Sequence, residues 1–138
     1  MGKSYLNNIR AVRWNDMMYA YIDGDDIGLR IENSFMNNNE IRLKEINELV
    51  KEIIEKITIY LKENNHEIIF SGADGIICKN KNINGDEIIE FIRKNSEEIN
   101  FSIGVGNSLR DAFLALRYAK SSGKNIVAIF NNGFNLVK

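Results

Sequence analysis

Ile41, Ile46, Leu49, Val50, Ile53, Ile54, Ile57 and Leu61 recur at spacings of three and four, with Glu and Lys between them. That period makes residues 40–62 one amphipathic helix whose apolar stripe has to be buried against another element. On either side stand short apolar runs that end in a carboxylate beside glycine. Residues 17–22 break at Asp23-Gly24, and residues 67–71 lead into Gly72-Ala73-Asp74-Gly75. The first run reads as a buried strand, and the second, with residues 75–79, as a hairpin with an acid at its bend. The long helix therefore lies on a sheet whose strand tips carry acids.

The remaining elements follow from local signals. A short helix starts after Asp26, and Asn37 to Asn39 form a loop. Asn84-Gly85-Asp86 opens a helix that Ile88, Ile89 and Ile92 carry to about Ser96. Residues 100–106 alternate Phe101, Ile103 and Val105 with Ser102, Gly104 and Gly106, and that small face implies close approach of another element. Ser108 is placed to cap a helix over 109–122, in which Ala112, Leu116 and Ala119 share a face with Leu109 and Phe113 and Gly123 is the stop. Residues 126–130 form the last clear strand, and the tail from Asn131 either turns into a short edge strand or is disordered. This order predicts an α+β fold of the ferredoxin-like or palm kind, a central antiparallel-rich sheet with helices packed on one face. Residues 1–16, which contain the only tryptophan, Trp14, read as an N-terminal extension, and 17–138 as a single domain.

The 138 residues suffice for one core, burying about two-thirds of the unfolded surface, and leave no room for a second catalytic domain. A net charge of −1 gives no general attraction to long nucleic acid or to an anionic membrane. No segment has the roughly 18 apolar residues of a membrane span, and no signal-peptide core opens the chain. With one cysteine, Cys78, there is no intrachain disulfide or multi-cysteine zinc site, and the cytoplasm is the expected setting.

Asp23 at a strand end and Asp74 at a hairpin bend would stand a few ångströms apart and repel each other unless a cation neutralises them. Oxygen donors suit Mg²⁺ or Mn²⁺, with the Gly24 carbonyl as a further ligand and water and phosphates completing the shell. The alternative is that both Asp-Gly pairs are simply turns. The amides of Asp26, Ile27 and Gly28 lie where a helix N-terminus would meet an anion. Lys120 and Lys124 would bring charge to phosphates, or else serve only the dipole at a helix C-terminus. Asp25 either stands behind the metal ligands or is solvated. Gly2-Lys3-Ser4 and Gly123-Lys124-Asn125 are not P-loops, Gly104-x-Gly106 lacks the dinucleotide pattern, and Asp23-x-Asp25 fails as an EF-hand because Ser34 stands in the glutamate position. Cys78 reads as a small buried hydrophobe, and His66 as a loop-side residue before a strand.

These residues resemble the palm-type nucleotidyl cyclases, a group that includes the GGDEF diguanylate cyclases, the palm of type III CRISPR large subunits and archaeal GTP cyclohydrolase III. Phe101-Ser-Ile-Gly-Val-Gly106 is similar to the strand after the third GGDEF helix, and Ala115-Leu-Arg-Tyr-Ala-Lys-Ser-Ser-Gly-Lys-Asn125 to the closing helix. The resemblance implies that Asp23, the Gly24 carbonyl and Asp74 hold metal, that Asp23 and Asp74 are catalytic, and that Asp26, Ile27, Gly28, Gly72, Lys120 and Lys124 bind nucleotide. Gly75 stands where diguanylate cyclases carry a fourth-place acid, and no aromatic follows it, which argues against cyclic-di-GMP chemistry. The form Asp23-Gly-Asp-Asp-Ile-Gly28 most resembles the stand-alone minimal CRISPR polymerases. That likeness implies a Mg²⁺-dependent enzyme condensing two NTPs, ATP favoured over GTP, into a cyclic dinucleotide for bacterial antiphage defence, as a homodimer with the active site at the subunit interface. The alternatives are a palm that binds nucleotide as a sensor without turnover, and a GTP hydrolase like GTP cyclohydrolase III.

Overall fold

The computed structural model describes residues 17–131 and 133–137, so the proposed extension over 1–16 lies outside the described residues. Ten elements follow in order: β1 (Met18–Gly24), α1 (Ile27–Met36), α2 (Glu40–Glu63), β2 (Glu67–Gly72), β3 (Gly75–Asn80), α3 (Gly85–Asn95), β4 (Phe101–Gly106), α4 (Leu109–Ser121), β5 (Val127–Phe130) and β6 (Phe134–Val137). The strands form one sheet in the order β2-β3-β1-β4-β5-β6. Among the described residues only the β4–β5 pair, joined through α4, is parallel. This is the α+β palm expected from the pattern, and the tail from Asn131 resolves into edge strand β6, antiparallel to β5.

The starts of α2, α3 and α4 are set by their own side chains. Asn39, Asn84 and Ser108 each accept a hydrogen bond from a first-turn amide, of Arg42, Glu87 and Asp111 respectively. At the other end of α4, Gly123 takes φ 117° and the Lys124 N–H donates to the Ala119 carbonyl at 3.1 Å, a Schellman closure.

Helices cover both faces of the sheet, where the pattern placed them on one. Ala20, Ile22, Ile76, Cys78, Ile103 and Val105 point to one side and form a single core with the stripes of α2 and α3. Tyr21 and Gly104 are cross-strand partners on the other side, under α4. A Cβ at Gly104 would stand 2.2 Å from the Leu116 nitrogen and 2.3 Å from the Ala112 carbonyl oxygen, and one at Gly106 2.6 Å from Asp111 Cβ. The small face of β4 thus lets a helix backbone lie directly on a strand. Three apolar residues assigned to core stripes leave them: Ile41 is 73% exposed, Leu109 52% and Phe113 46%. Ile41 lies in the first turn of α2, Leu109 opens α4, and Phe113 stacks on the Tyr21 ring at 6.5 Å while keeping an exposed side. No helix among the described residues is long and apolar enough to cross a membrane.

Candidate active site

Asp23, the last side chain of β1 before Gly24, is paired with Gly75 on β3 and Ser102 on β4. A Cβ at position 75 would lie 3.1 Å from Asp23 Oδ1 and 3.4 Å from the Tyr21 ring, so the glycine leaves the carboxylate its room. Gly24 donates its N–H to the Asp74 carbonyl at 2.9 Å, which fastens the end of β1 to the hairpin bend. The bend itself has two residues, Ala73 at φ 50° and Asp74, closed by the Gly72 and Gly75 pair. By this tie the two acids, fifty-one positions apart in sequence, share one corner.

The charges register that proximity. Burial raises the Asp23 carboxyl above the ordinary carboxylate value, Lys120 works against the rise, and Asp74 and Asp25 add to it. The Tyr21 hydroxyl is raised as well, by burial first and then by Asp23 and Asp74.

Lys120, in the last turn of α4, sits among oxygens: the Gly24 carbonyl at 2.9 Å, the Asp23 carbonyl at 3.4 Å, Asp25 Oδ1 at 2.7 Å and Asp23 Oδ2 at 3.2 Å. It can reach them because α4 lies flush on Gly104 and Gly106. Lys124 pairs with the Asp26 carboxylate. That pairing holds the Asp26 carboxyl low and the Lys124 ammonium high. Asp26 turns the chain into α1 at φ 61°, and its side chain makes no cap hydrogen bond to the helix. The first amides of α1, at Asp26, Ile27 and Gly28, therefore face the same end of the sheet as both lysines, an arrangement that suits an anion.

Asp25 is not solvated: it stands behind Asp23 and shares Lys120 with it. It is 5% exposed and takes hydrogen bonds from Ser102 Oγ, Lys120 Nζ and the Asn125 N–H. Sequence reasoning missed Ser102 and Asn125, the first hidden among small residues on β4 and the second in a turn.

Beside Asp74 opens a cleft of about 640 Å³ between α1 and α2, lined by Ile27, Gly28, Ile31, Asn47, Val50 and Lys51 among others. Of residues 29–39 only Ile31 lines the cleft, and Asn47 and Lys51 are contributed by α2. Their i,i+4 spacing beside Ile46 and Val50 was the available signal. Cys78 is buried in β3, its thiol pushed up to about 12 by burial, and is no nucleophile.

The model for the minimal CRISPR polymerase domain matches residues 19–130. The chain belongs to this family. Minimal CRISPR polymerase membership accords with the solved structures that share the fold. The GGEEF domain of a diguanylate cyclase from Vibrio cholerae is 20% identical, with 91% of this chain and 90% of that one covered and a TM-score of 0.62. A dimeric guanylyl cyclase domain of the RhoGC fusion protein from Blastocladiella emersonii is 12% identical over 83% and 78%, with a TM-score of 0.55. A chain of a Csm1–Csm4 cassette in complex with cA4 is 17% identical, covering 84% of this chain and 21% of that one, with a TM-score of 0.56. At these identities the likeness is one of fold. No curated protein matches the chain.

The Asp23 and Asp74 carboxylates and the Gly24 carbonyl are oxygen donors of the kind that suit a hard divalent ion. No group of three or more His, Cys, Asp or Glu among the described residues is arranged to cage a metal. Mg²⁺ needs no such cage, being held typically by one or two carboxylates together with water and substrate phosphates.

Proposed function

We propose that the protein is a nucleotidyl cyclase that condenses two NTPs, ATP in preference to GTP, into a cyclic dinucleotide and pyrophosphate, and that this product is a signal in bacterial antiphage defence. The single observation that carries the reading is the hydrogen bond from Gly24 to Asp74, which ties the end of β1 that carries Asp23 to the bend whose Asp74 lines the cleft.

In this reading Asp23 and Asp74, with the Gly24 carbonyl, hold Mg²⁺ or Mn²⁺. Bound there, the ion would act as a Lewis acid on phosphoryl oxygens and ease ionisation of the attacking hydroxyl. The Asp26, Ile27 and Gly28 amides, with Lys120 and Lys124, hold the triphosphate, and both lysines exchange an acidic partner in the chain for substrate phosphate. Gly72 shapes the bend that presents Asp74. The base enters the α1–α2 cleft, where the Asn47 amide matches adenine's neighbouring donor and acceptor. A ribose hydroxyl of one nucleotide attacks the α-phosphorus of the other; a P–O bond forms, the bond to the β-phosphate's bridging oxygen breaks, pyrophosphate departs and the hydroxyl proton passes to solvent. Positioning and charge stabilisation supply the catalysis, so no side-chain base is required. Because one palm presents one NTP, ring closure calls for a homodimer with the active site between subunits.

Gly75, in the place of a second hairpin acid, favours a second reading, a nucleotide sensor without turnover. Incubation of purified protein with each NTP and Mg²⁺, followed by mass identification of products, separates the two. A cyclic dinucleotide plus pyrophosphate is expected from ATP; unchanged nucleotide would leave the sensor, and an opened guanine ring would mean GTP hydrolysis.

A further inference from the structure

Asp25 lies between the two acids of the corner in sequence order, yet its carboxylate is spent on the protein. Oδ1 accepts from Ser102 Oγ at 2.8 Å and Lys120 Nζ at 2.7 Å, and Oδ2 from the Asn125 N–H at 2.9 Å. Its own N–H donates to the Asn100 carbonyl at 2.8 Å. Donors from β4, from α4 and from the turn after α4 therefore converge on one buried charge, which satisfies a group that would otherwise be costly to bury.

Two consequences reach the phosphate side. Lys124 and Asn125 both adopt left-handed backbone, φ 64° and 52°, without being glycine. Such conformations are strained for residues with a side chain and persist only where surrounding contacts hold them. Asn125 is held from both sides: its N–H lies on Asp25 Oδ2 and 3.0 Å from Ser102 Oγ, and its carbonyl accepts from Arg93 at 2.6 Å. This clamped turn sends Lys124 back over the start of α1. Asp25 also holds the Lys120 ammonium more closely than Asp23 does, 2.7 Å against 3.2 Å, and so leaves the Asp23 carboxylate less encumbered.

We propose that Asp25 is a positioning residue that sets both phosphate-facing cations, Lys120 directly and Lys124 through the Asn125 turn, while touching neither substrate nor metal. This rests on the reading of the two lysines as phosphate ligands. Asp25→Asn tests it, because an amide accepts on one oxygen only and must turn its NH₂ toward either Lys120 or the Asn125 N–H, both donors.

With the full chain and Mg²⁺ present, Asp25→Asn is expected to weaken inorganic tripolyphosphate binding at least about tenfold, a loss of about 1.4 kcal/mol, and to leave adenosine binding within about twofold. The Asn125 amide should exchange its proton at least about tenfold faster. A purely structural role would lower both affinities together, and that outcome, or an unchanged tripolyphosphate affinity, overturns the proposal. Should Asp25→Asn fail to fold, Ser102→Ala keeps the carboxylate and removes one donor; about threefold weaker tripolyphosphate binding with adenosine unaffected supports the proposal, and no change overturns it. Wild-type protein that does not bind tripolyphosphate also overturns it. Wild-type protein that binds tripolyphosphate but forms no cyclic dinucleotide from ATP refutes the polymerase reading alone.

Discussion

The two faces of the sheet are built on opposite principles. One presents Ile22, Ile76, Ile103 and Val105, all fully or almost fully buried, and meets α2 and α3 through side-chain volume. The other presents Gly104 and Gly106, and meets α4 backbone to backbone. A face packed by side chains adjusts to small changes in volume, since neighbours can shift by fractions of an ångström. A face packed by backbone has no such latitude, and here its closeness decides where Lys120 lands. The difference teaches that the aliphatic face is held by side-chain packing that can adjust and the glycine face by a close fit that fixes the geometry of the candidate site, with the acids at the rim where the two meet.

The largest effect is expected at that rim. On the proposed reading Asp74→Asn removes a metal ligand's charge and no core contact, so turnover should fall about 10³-fold, in line with the several kcal/mol a bound metal contributes, while the thermal midpoint stays within a degree or two of wild type. Full turnover by the variant would place the chemistry elsewhere.

Gly104→Ala on one face and Ile103→Val on the other sharpen the contrast directly. The new Cβ collides with helix backbone, and unfolding by denaturant should show a loss of about 3 kcal/mol together with a raised KM for NTP as Lys120 is displaced. Ile103→Val should cost about 1 kcal/mol and leave KM unchanged. Equal costs from the two substitutions would break the comparison.

Lys124→Gln removes an exposed cation that no packing depends on. KM for NTP should rise about tenfold at low ionic strength, and the gap to wild type should narrow as salt screens the charge. Stability should fall only by the small amount that the exposed ion pair of Lys124 with Asp26 contributes.

The smallest effect is on pH. The folded state holds the Asp23 proton more tightly than the unfolded chain, so between the ordinary value of 3.8 and the higher folded value it binds more protons, and the contribution to stability falls as pH rises through that window. Asp26 acts in the opposite sense, its contribution present above its unfolded value and lost as pH drops through the lower folded one. Denaturant midpoints measured across the acid range, without and with Mg²⁺, should show the Asp23 decline in the first series and its removal in the second.

Much of the architecture was legible because it is local. The period of three and four over 40–62, the helix starts at Asn84 and Ser108, and the stop at Gly123 depend on neighbours a turn away, and the elements lie within a residue or so of where those signals put them. The corner formed by Asp23 and Asp74 was legible for a related reason: each acid ends an apolar strand, and strand ends of one sheet gather at common edges. Ile41, Leu109 and Phe113 misled because an apolar residue at helical spacing does not say where the covering element stops.

What the sequence alone determined is the list of elements, the apolar stripe of each and the two acids at strand tips, all consequences of chemistry within a few residues. Only the tertiary structure decided that α4 crosses to the face opposite α2 and α3, that Asp25 is buried under Ser102, Lys120 and Asn125, and that Asn47 and Lys51 line the cleft. Those outcomes depend on the strand order β3-β1-β4-β5, and hence on pairings between segments tens of residues apart whose energies no short stretch of chain contains.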